Sequence, residues 1–220
     1  MEDIVKRLQR LDCCAVSDAM DKLGLKNQVA TGIEQRSTSQ RIAGRVVTYR
    51  MAAASKAPPS GGPPRHLGTT AIEGARAGEV IVVEQRTGID AGSWGGILTL
   101  GAKMKGVAGV VADGPVRDID EARAYGFPIY CRSLTPRTAR GRVAEVECNG
   151  PVNVGGVAVQ PGDYVIADAS GVAFVPADEA SRVLEAAESI AGREAAMAKA
   201  LLDGKSIAEV MGADYEHMLR

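Results

Sequence analysis

The chain has 220 residues and a formal net charge of -1, with 26 Lys and Arg against 27 Asp and Glu. That balance argues against the basic face expected of a dedicated nucleic-acid binder, and no apolar run approaches the roughly twenty residues that span a bilayer. Residues 1–4 lack the basic and apolar regions of a signal peptide, so a cytoplasmic protein with neither a nucleic-acid nor a membrane partner is expected.

Apolar residues make up 45% of the chain but aromatics only 4%, so the core must be built from Val, Ala, Ile and Leu. Cys13, Cys14, Cys131 and Cys148 show no C-x-x-C spacing, which points to neither a zinc site nor a disulfide framework. Small buried hydrophobes are the simpler reading of such thiols.

In chain order, residues 3–23 read as amphipathic helix, with Ile4, Leu8 and Leu11 on one face. Val16, Ala19, Met20 and Leu23 resume it after a turn capped by Ser17 and Asp18, and Gly24 ends it. Residues 42–50 read as a strand with a bulge at Gly44. Residues 55–64 hold four prolines and two glycines, which no helix or central strand accepts, so they form a surface loop. Residues 67–76 read as a helix closed by Ala77-Gly78, and 79–83 as a buried strand of nearly continuous β-branched residues. A helix from Gly95 or Gly96, a strand over 107–112, a short helix and a strand at 128–131 follow. This alternation calls for parallel strands covered by helices.

Beyond Arg132 the pattern becomes strands and turns. Arg132, Arg137, Arg140 and Arg142 face solvent, a partner subunit or an acidic substrate. Residues 152–159 read as a hairpin around Gly155-Gly156, and 164–167 pairs with 172–175. Residues 177–203 form a long Ala- and Glu-rich helix stopped by Gly204. A short helix over 206–211 comes next, and 215–220 is placed to pack across a neighbouring subunit. We divide the chain into an α/β domain over 1–176 and a helical extension of the same domain over 177–220.

The stretch from Trp94 to Asp118 carries the chemistry. Gly95 and Gly96 open a helix whose first N–H groups lack intrahelical partners, and the absence of side chains lets a carboxylate or phosphate approach them. A simple packing turn is the alternative. Ile97, Leu100, Gly101 and Met104 fall on one helical face, away from Lys103 and Lys105. The strand that follows reads as ending in an Asp113-Gly114 turn. Arg117 and Asp118 lie just past it, where α/β sheets hold their ligands. Arg117 offers a planar fork for a carboxylate and Asp118 a hard oxygen for a divalent cation. Asp118 is equally the N-cap of a helix, with Glu121 three residues on completing a capping box.

Trp94-Gly95-Gly96-Ile97-Leu98, Asp113-Gly114 followed by Arg117-Asp118, and Gly126-Phe127-Pro128 together resemble the RraA-like family. That family holds 4-hydroxy-4-methyl-2-oxoglutarate/4-carboxy-4-hydroxy-2-oxoadipate aldolases and regulators of ribonuclease E activity. The resemblance runs from Asp18 to Val172 and implies a swivelling β/β/α architecture: a parallel βαβ portion, a β-rich layer and a long C-terminal helix.

It further implies that Gly95, Gly96, Ile97, Leu98 and Arg117 hold the pyruvyl part of a 2-oxo acid and that Asp118 binds Mg²⁺ or Mn²⁺. Homotrimers or hexamers with sites at subunit boundaries are implied as well. The family's aldolases carry an acid twenty-one positions before the arginine, where this chain has Gly96. Retro-aldol cleavage needs a base for the hydroxyl proton, worth about 10²- to 10⁴-fold, and Gly96 supplies none. Asp90 is the nearest substitute in sequence, or else a turn residue. Lys56, Arg65 and His66 are placed to meet the far end of a substrate, if the loop closes over it.

The expected activity is therefore a metal-dependent lyase, releasing pyruvate from a 4-hydroxy-2-oxo diacid or decarboxylating oxaloacetate. The alternative is a catalytically idle regulator that binds a ribonuclease or another partner.

Overall fold

The β-branched runs form the middle of the sheet. In the computed structural model, which describes residues 3–57 and 66–212, four strands lie side by side and parallel: β3 (Ile42–Ala53), β4 (Val80–Glu84), β5 (Gly109–Val116) and β6 (Ile129–Leu134). Helices α3 (Thr69–Gly74), α4 (Gly96–Met104) and α5 (Ile119–Ala124) connect them, as short crossovers between parallel strands require. Strands β1 (Val29–Ala30) and β2 (Glu34–Gln35) lie at the two edges of the sheet. Strand β7 (Val143–Cys148) pairs antiparallel with the second half of β3. Hairpin β8 (Val152–Val154) and β9 (Val157–Val159) turns through Gly155 and Gly156, both at positive φ. Strands β10 (Tyr164–Asp168) and β11 (Gly171–Val175) extend the sheet antiparallel from the first half of β3.

Alternation along β4 divides the interior. Ile81 and Val83 face Tyr49, Trp94, Leu98 and Phe127 on the side of helices α3 to α5. Val80 and Val82 face Val152, Val154, Val157 and Val159 of the hairpin. All four β4 residues are fully buried, each contributing about 1.5–3 kcal/mol relative to exposure. A third core joins α1 (Ile4–Leu8), α2 (Cys13–Lys22) and the long α6 (Ala180–Leu202) to Ile166, Ala173 and Val175. The short α7 (Ile207–Val210) follows, capped by Ser206. The mixed α/β class, the parallel portion, the β-rich layer and the long C-terminal helix all match the sequence reading.

Local details depart from it. The N-cap of α2 is Asp12, whose carboxylate accepts from Ala15 N at 2.8 Å, and Ser17 and Asp18 lie inside the helix. Gly44 sits in regular register. It is required for close approach, since a Cβ there would stand 2.4 Å from the Gly78 carbonyl oxygen. The irregularity in β3 falls between Arg50 and Met51.

Helix α3 starts only at Thr69, after Gly68 at φ 75°. Asp113 and Gly114 lie within β5 at a shift of register, and the strand runs on to Val116. On α4 the buried positions are Gly96, Leu98, Thr99 and Ala102, and the Ile97 and Met104 stripe points outward, 81% and 83% exposed. Of the adjacent thiols, Cys13 is buried and Cys14 exposed. Burial pushes the Cys131 thiol up to about 12. Arg65 and the segment 215–220 lie outside the described residues, and no described helix is long and apolar enough to cross a membrane.

Asp168 fastens α2 to the β10–β11 turn, accepting from Cys13 N at 2.9 Å and Ser170 N at 2.8 Å. Burial raises its pKa, but these N–H donors, with Arg41 nearby, outweigh that and hold it below the usual 3.8. Its stabilising contribution is full above 3.8 and is lost as pH falls through the depressed folded value. Asp168→Ala should cost about 1–2 kcal/mol at pH 7 and flatten the acid limb of stability against pH, measured by urea denaturation between pH 2 and 7.

Candidate active site at the start of helix α4

The segment after β4 is held against the end of β5 by backbone bonds. Ser93 N donates to Pro115 O at 2.8 Å, Arg117 N to Trp94 O at 3.0 Å and Gly92 N to Arg137 O at 2.9 Å. Three side chains lock it: Tyr49 Oη donates to Ser93 O at 2.5 Å, Trp94 Nε1 to Thr99 Oγ1 at 2.9 Å, and Thr99 Oγ1 to Gly95 O at 3.0 Å. Burial drives the Tyr49 hydroxyl well above its ordinary pKa, so it stays a donor. Glycines leave room where Arg117 crosses this segment. A Cβ on Gly92 would stand 3.0 Å from Arg117 Cγ, and one on Gly95 3.2 Å from the same atom.

These contacts frame a cavity of about 160 Å³ at the carboxyl ends of the parallel strands, walled by Trp94, Gly95, Gly96, Ile97, Leu98, Arg117 and Asp118. It is small beside the ~300–1,000 Å³ of drug-sized sites, which suits a small acid. Ile97 N and Leu98 N, in the first turn of α4, have no intrahelical acceptor and bring the positive end of the helix dipole to the wall.

Asp118 joins the two halves of the site. It adopts a left-handed conformation, φ 58° and ψ 39°, and occupies the N-cap position of α5 without capping it. Its carboxylate turns instead to α4, accepting from Gly96 N at 3.0 Å. Arg117 Nε donates to both Asp118 oxygens, at 3.1 and 3.2 Å. Among the described residues only the Nε of Arg117 is so engaged, which leaves its two Nη groups for a ligand. The Asp118 side chain is 31% exposed, so its outer lone pairs remain accessible.

Gly95, Gly96, Ile97, Leu98, Arg117 and Asp118 are thus brought together. Asp90 is not among the residues lining the cavity. It lies half-exposed, with Oδ2 3.4 Å from Arg137 Nε. His66 reaches the cavity wall beside Leu67, its Nδ1 3.1 Å from Leu67 O, and Lys56 is exposed away from it. Of the other arginines, Arg132 binds the buried Asp113 at 2.5 Å and Arg142 the Thr138 carbonyl at 3.2 Å. Sequence reasoning assigned Glu121 only to a capping box that does not form, and the carboxylate stands instead against Gly96.

No group of three or more His, Cys, Asp or Glu suited to a metal occurs among the described residues. Of the acidic residues named above, Asp118 lines the cavity and presents the hard oxygen type that a divalent cation takes.

The RraA-like family model, described as Aldolase/RraA, matches residues 13–174. A Halalkalibacterium halodurans protein with a provisional 4-hydroxy-4-methyl-2-oxoglutarate aldolase name is 28% identical over 201 residues, covering 91% of this chain and 90% of its own. Protein DlpA of Legionella pneumophila is 26% identical over 207 residues, covering 94% of this chain, which spans only 33% of DlpA. Among solved structures, RraAS2 of Streptomyces coelicolor, described as an unusual member of the RNase ES inhibitor RraA family, superposes with a TM-score of 0.75 at 26% identity. That superposition covers 87% of this chain and 93% of RraAS2. By its family match and its fold, the chain belongs to the RraA-like family.

Proposed function

We propose that the chain is a divalent-metal-dependent lyase of pyruvyl 2-oxo acids, cleaving a 4-hydroxy-2-oxo diacid by retro-aldol chemistry and decarboxylating oxaloacetate. The observation that carries this reading is the convergence of the Arg117 fork, the Asp118 carboxylate and the unpaired N–H groups of α4 on one small cavity. The two Nη groups of Arg117 hold the substrate carboxylate in a bidentate pair. Ile97 N and Leu98 N face the oxygen on which negative charge develops, which is the arrangement that lowers barriers most when donors are fixed in advance. Asp118 would hold Mg²⁺ or Mn²⁺, and the ion when bound supplies the Lewis acid that draws electrons toward the 2-keto oxygen.

The same reading places a neighbouring subunit of a homotrimer or hexamer over the exposed stripe of Ile97 and Met104, close to the cavity mouth, and places the protein in the cytoplasm. A catalytically idle regulator binding a ribonuclease or another partner is the second reading. The glycine at position 96 and the likeness to RraAS2 favour it, whereas the retained Arg117 and Asp118 oppose it.

Incubation with Mg²⁺ or Mn²⁺ and a panel of 4-hydroxy-2-oxo diacids, with pyruvate coupled to a dehydrogenase, should show metal-dependent turnover. Arg117→Ala should lower kcat by about 10²–10³-fold, the usual effect of removing one transition-state donor. Asp118→Ala should abolish the metal dependence. Metal-dependent turnover undiminished in both variants would overturn the assignment.

Trp94 is the sole tryptophan, is 1% exposed and forms part of the cavity wall. Pyruvate or oxalate should therefore change its fluorescence saturably, and Arg117→Ala should remove that response.

A further inference from the structure

Retro-aldol cleavage needs a group that takes a hydroxyl proton, and the walls of the cavity offer few. Among the described residues lining it, only His66, Arg117, Asp118 and Thr138 carry an ionisable or hydroxyl side chain. Arg117 stays protonated and a threonine hydroxyl is no base, while Asp118 is committed to Gly96 N and to Arg117. His66 is left, and its tautomer is set. Nδ1 lies 3.1 Å from Leu67 O, and a carbonyl oxygen can only accept, so Nδ1 carries the proton and the neutral ring keeps the lone pair of Nε2 for a ligand.

The turn that carries His66 is fastened at three points. Thr69 Oγ1 donates to His66 O at 2.6 Å, and Gly68 N donates to the Glu145 carboxylate on β7 at 2.6 Å. Gly68, at φ 75°, fits the turn closely against the residues of the cavity wall, since a Cβ there would stand 3.3 Å from Leu98 Cδ1 and 3.4 Å from the Trp94 ring.

Resting on the lyase reading, we infer that His66 is the proton acceptor of the retro-aldol step. Its Nε2 takes the proton of the substrate's C4 hydroxyl, and the O–H electron pair becomes the second bond of the new carbonyl. The C3–C4 bond breaks and its pair passes into the pyruvyl half as an enolate, whose carboxylate stays on Arg117. The enolate takes a proton from water at C3, giving pyruvate, and the imidazolium returns its own proton to water. Protons balance, and no oxidant or reductant is consumed.

Oxaloacetate provides the internal control. Its decarboxylation forms the same enolate by loss of CO₂ and removes no hydroxyl proton, so it needs Arg117 and Asp118 but not His66. The experiment compares wild type with H66A on both substrate types at saturating Mg²⁺, with and without added imidazole. Because His66 is exposed, H66A should fold and melt like wild type. The expected result is a kcat for the 4-hydroxy-2-oxo diacid lowered by about 10²- to 10⁴-fold, the range for a lost general base, with KM little changed and oxaloacetate decarboxylation kept within about twofold. Cleavage by H66A should rise with imidazole concentration, as the free base takes the vacated place. H66A that cleaves the hydroxy acid like wild type, or that loses both reactions equally, overturns the role of His66 while leaving the lyase reading in place. Cleavage that is lost in H66A and untouched by imidazole overturns it too, assigning His66 to holding the substrate. A wild-type protein inert toward every substrate in both reactions overturns the lyase reading and this role with it.

Discussion

The bond from Gly96 N to the Asp118 carboxylate, 3.0 Å long, is the contact on which the site depends. It links the start of α4, which follows β4, to the residue after Arg117, which follows β5. To make it, Asp118 takes a left-handed backbone conformation, which Asp tolerates better than most residues bearing a Cβ. Helix α4 gains the cap that Gly95 cannot provide, and α5 goes without a side-chain cap of its own. The same carboxylate holds Arg117 by its Nε and so aims the rest of the guanidinium. One ordinary electrostatic preference, a carboxylate at a helix N-terminus, therefore fixes two helices and the cation of the site together.

The sheet explains why this happens where it does. Parallel strands β3 to β6 end on the same side, and the loops leaving β4 and β5 must cross there. Glycines at 92 and 95 let Arg117 lie against the first of these loops, and the buried Trp94, Tyr49 and Thr99 hold that loop rigid from beneath. Such a support favours a preorganised anion site, whose donors need no rearrangement when charge develops.

Much of this was legible in the sequence, and the exceptions share a cause. Valine-rich runs marked β4 and β5 because burial on both faces leaves no room for alternation, and the glycine pair before an amphipathic segment marked the start of α4. What sequence periodicity could not say was which side of α4 faces the sheet. It favoured the apolar stripe of Ile97 and Met104, but Leu98, Thr99 and Ala102 face the core and Ile97 and Met104 stay exposed. Asp90 is near the glycines in sequence, but its carboxylate goes to Arg137. Glu121 is distant in sequence and close in space. Its local pattern spelled a capping box, which the turn of Asp118 toward α4 dissolved. Local signals identified the elements, and contacts between elements decided that Asp118, and not Asp90, lines the cavity.

The central claim is that Asp118, Arg117 and the start of α4 form one site for a divalent cation and a pyruvyl acid. The measurement that tests it most directly is a Mn²⁺ titration followed by electron paramagnetic resonance, with and without oxalate, which has the shape and charge of the pyruvate enolate. The account predicts about one Mn²⁺ per chain, bound more tightly with oxalate, and by linkage an equal tightening of oxalate by Mn²⁺. Failure of wild-type protein to retain Mn²⁺, or binding of Mn²⁺ and oxalate that is mutually independent, would contradict it.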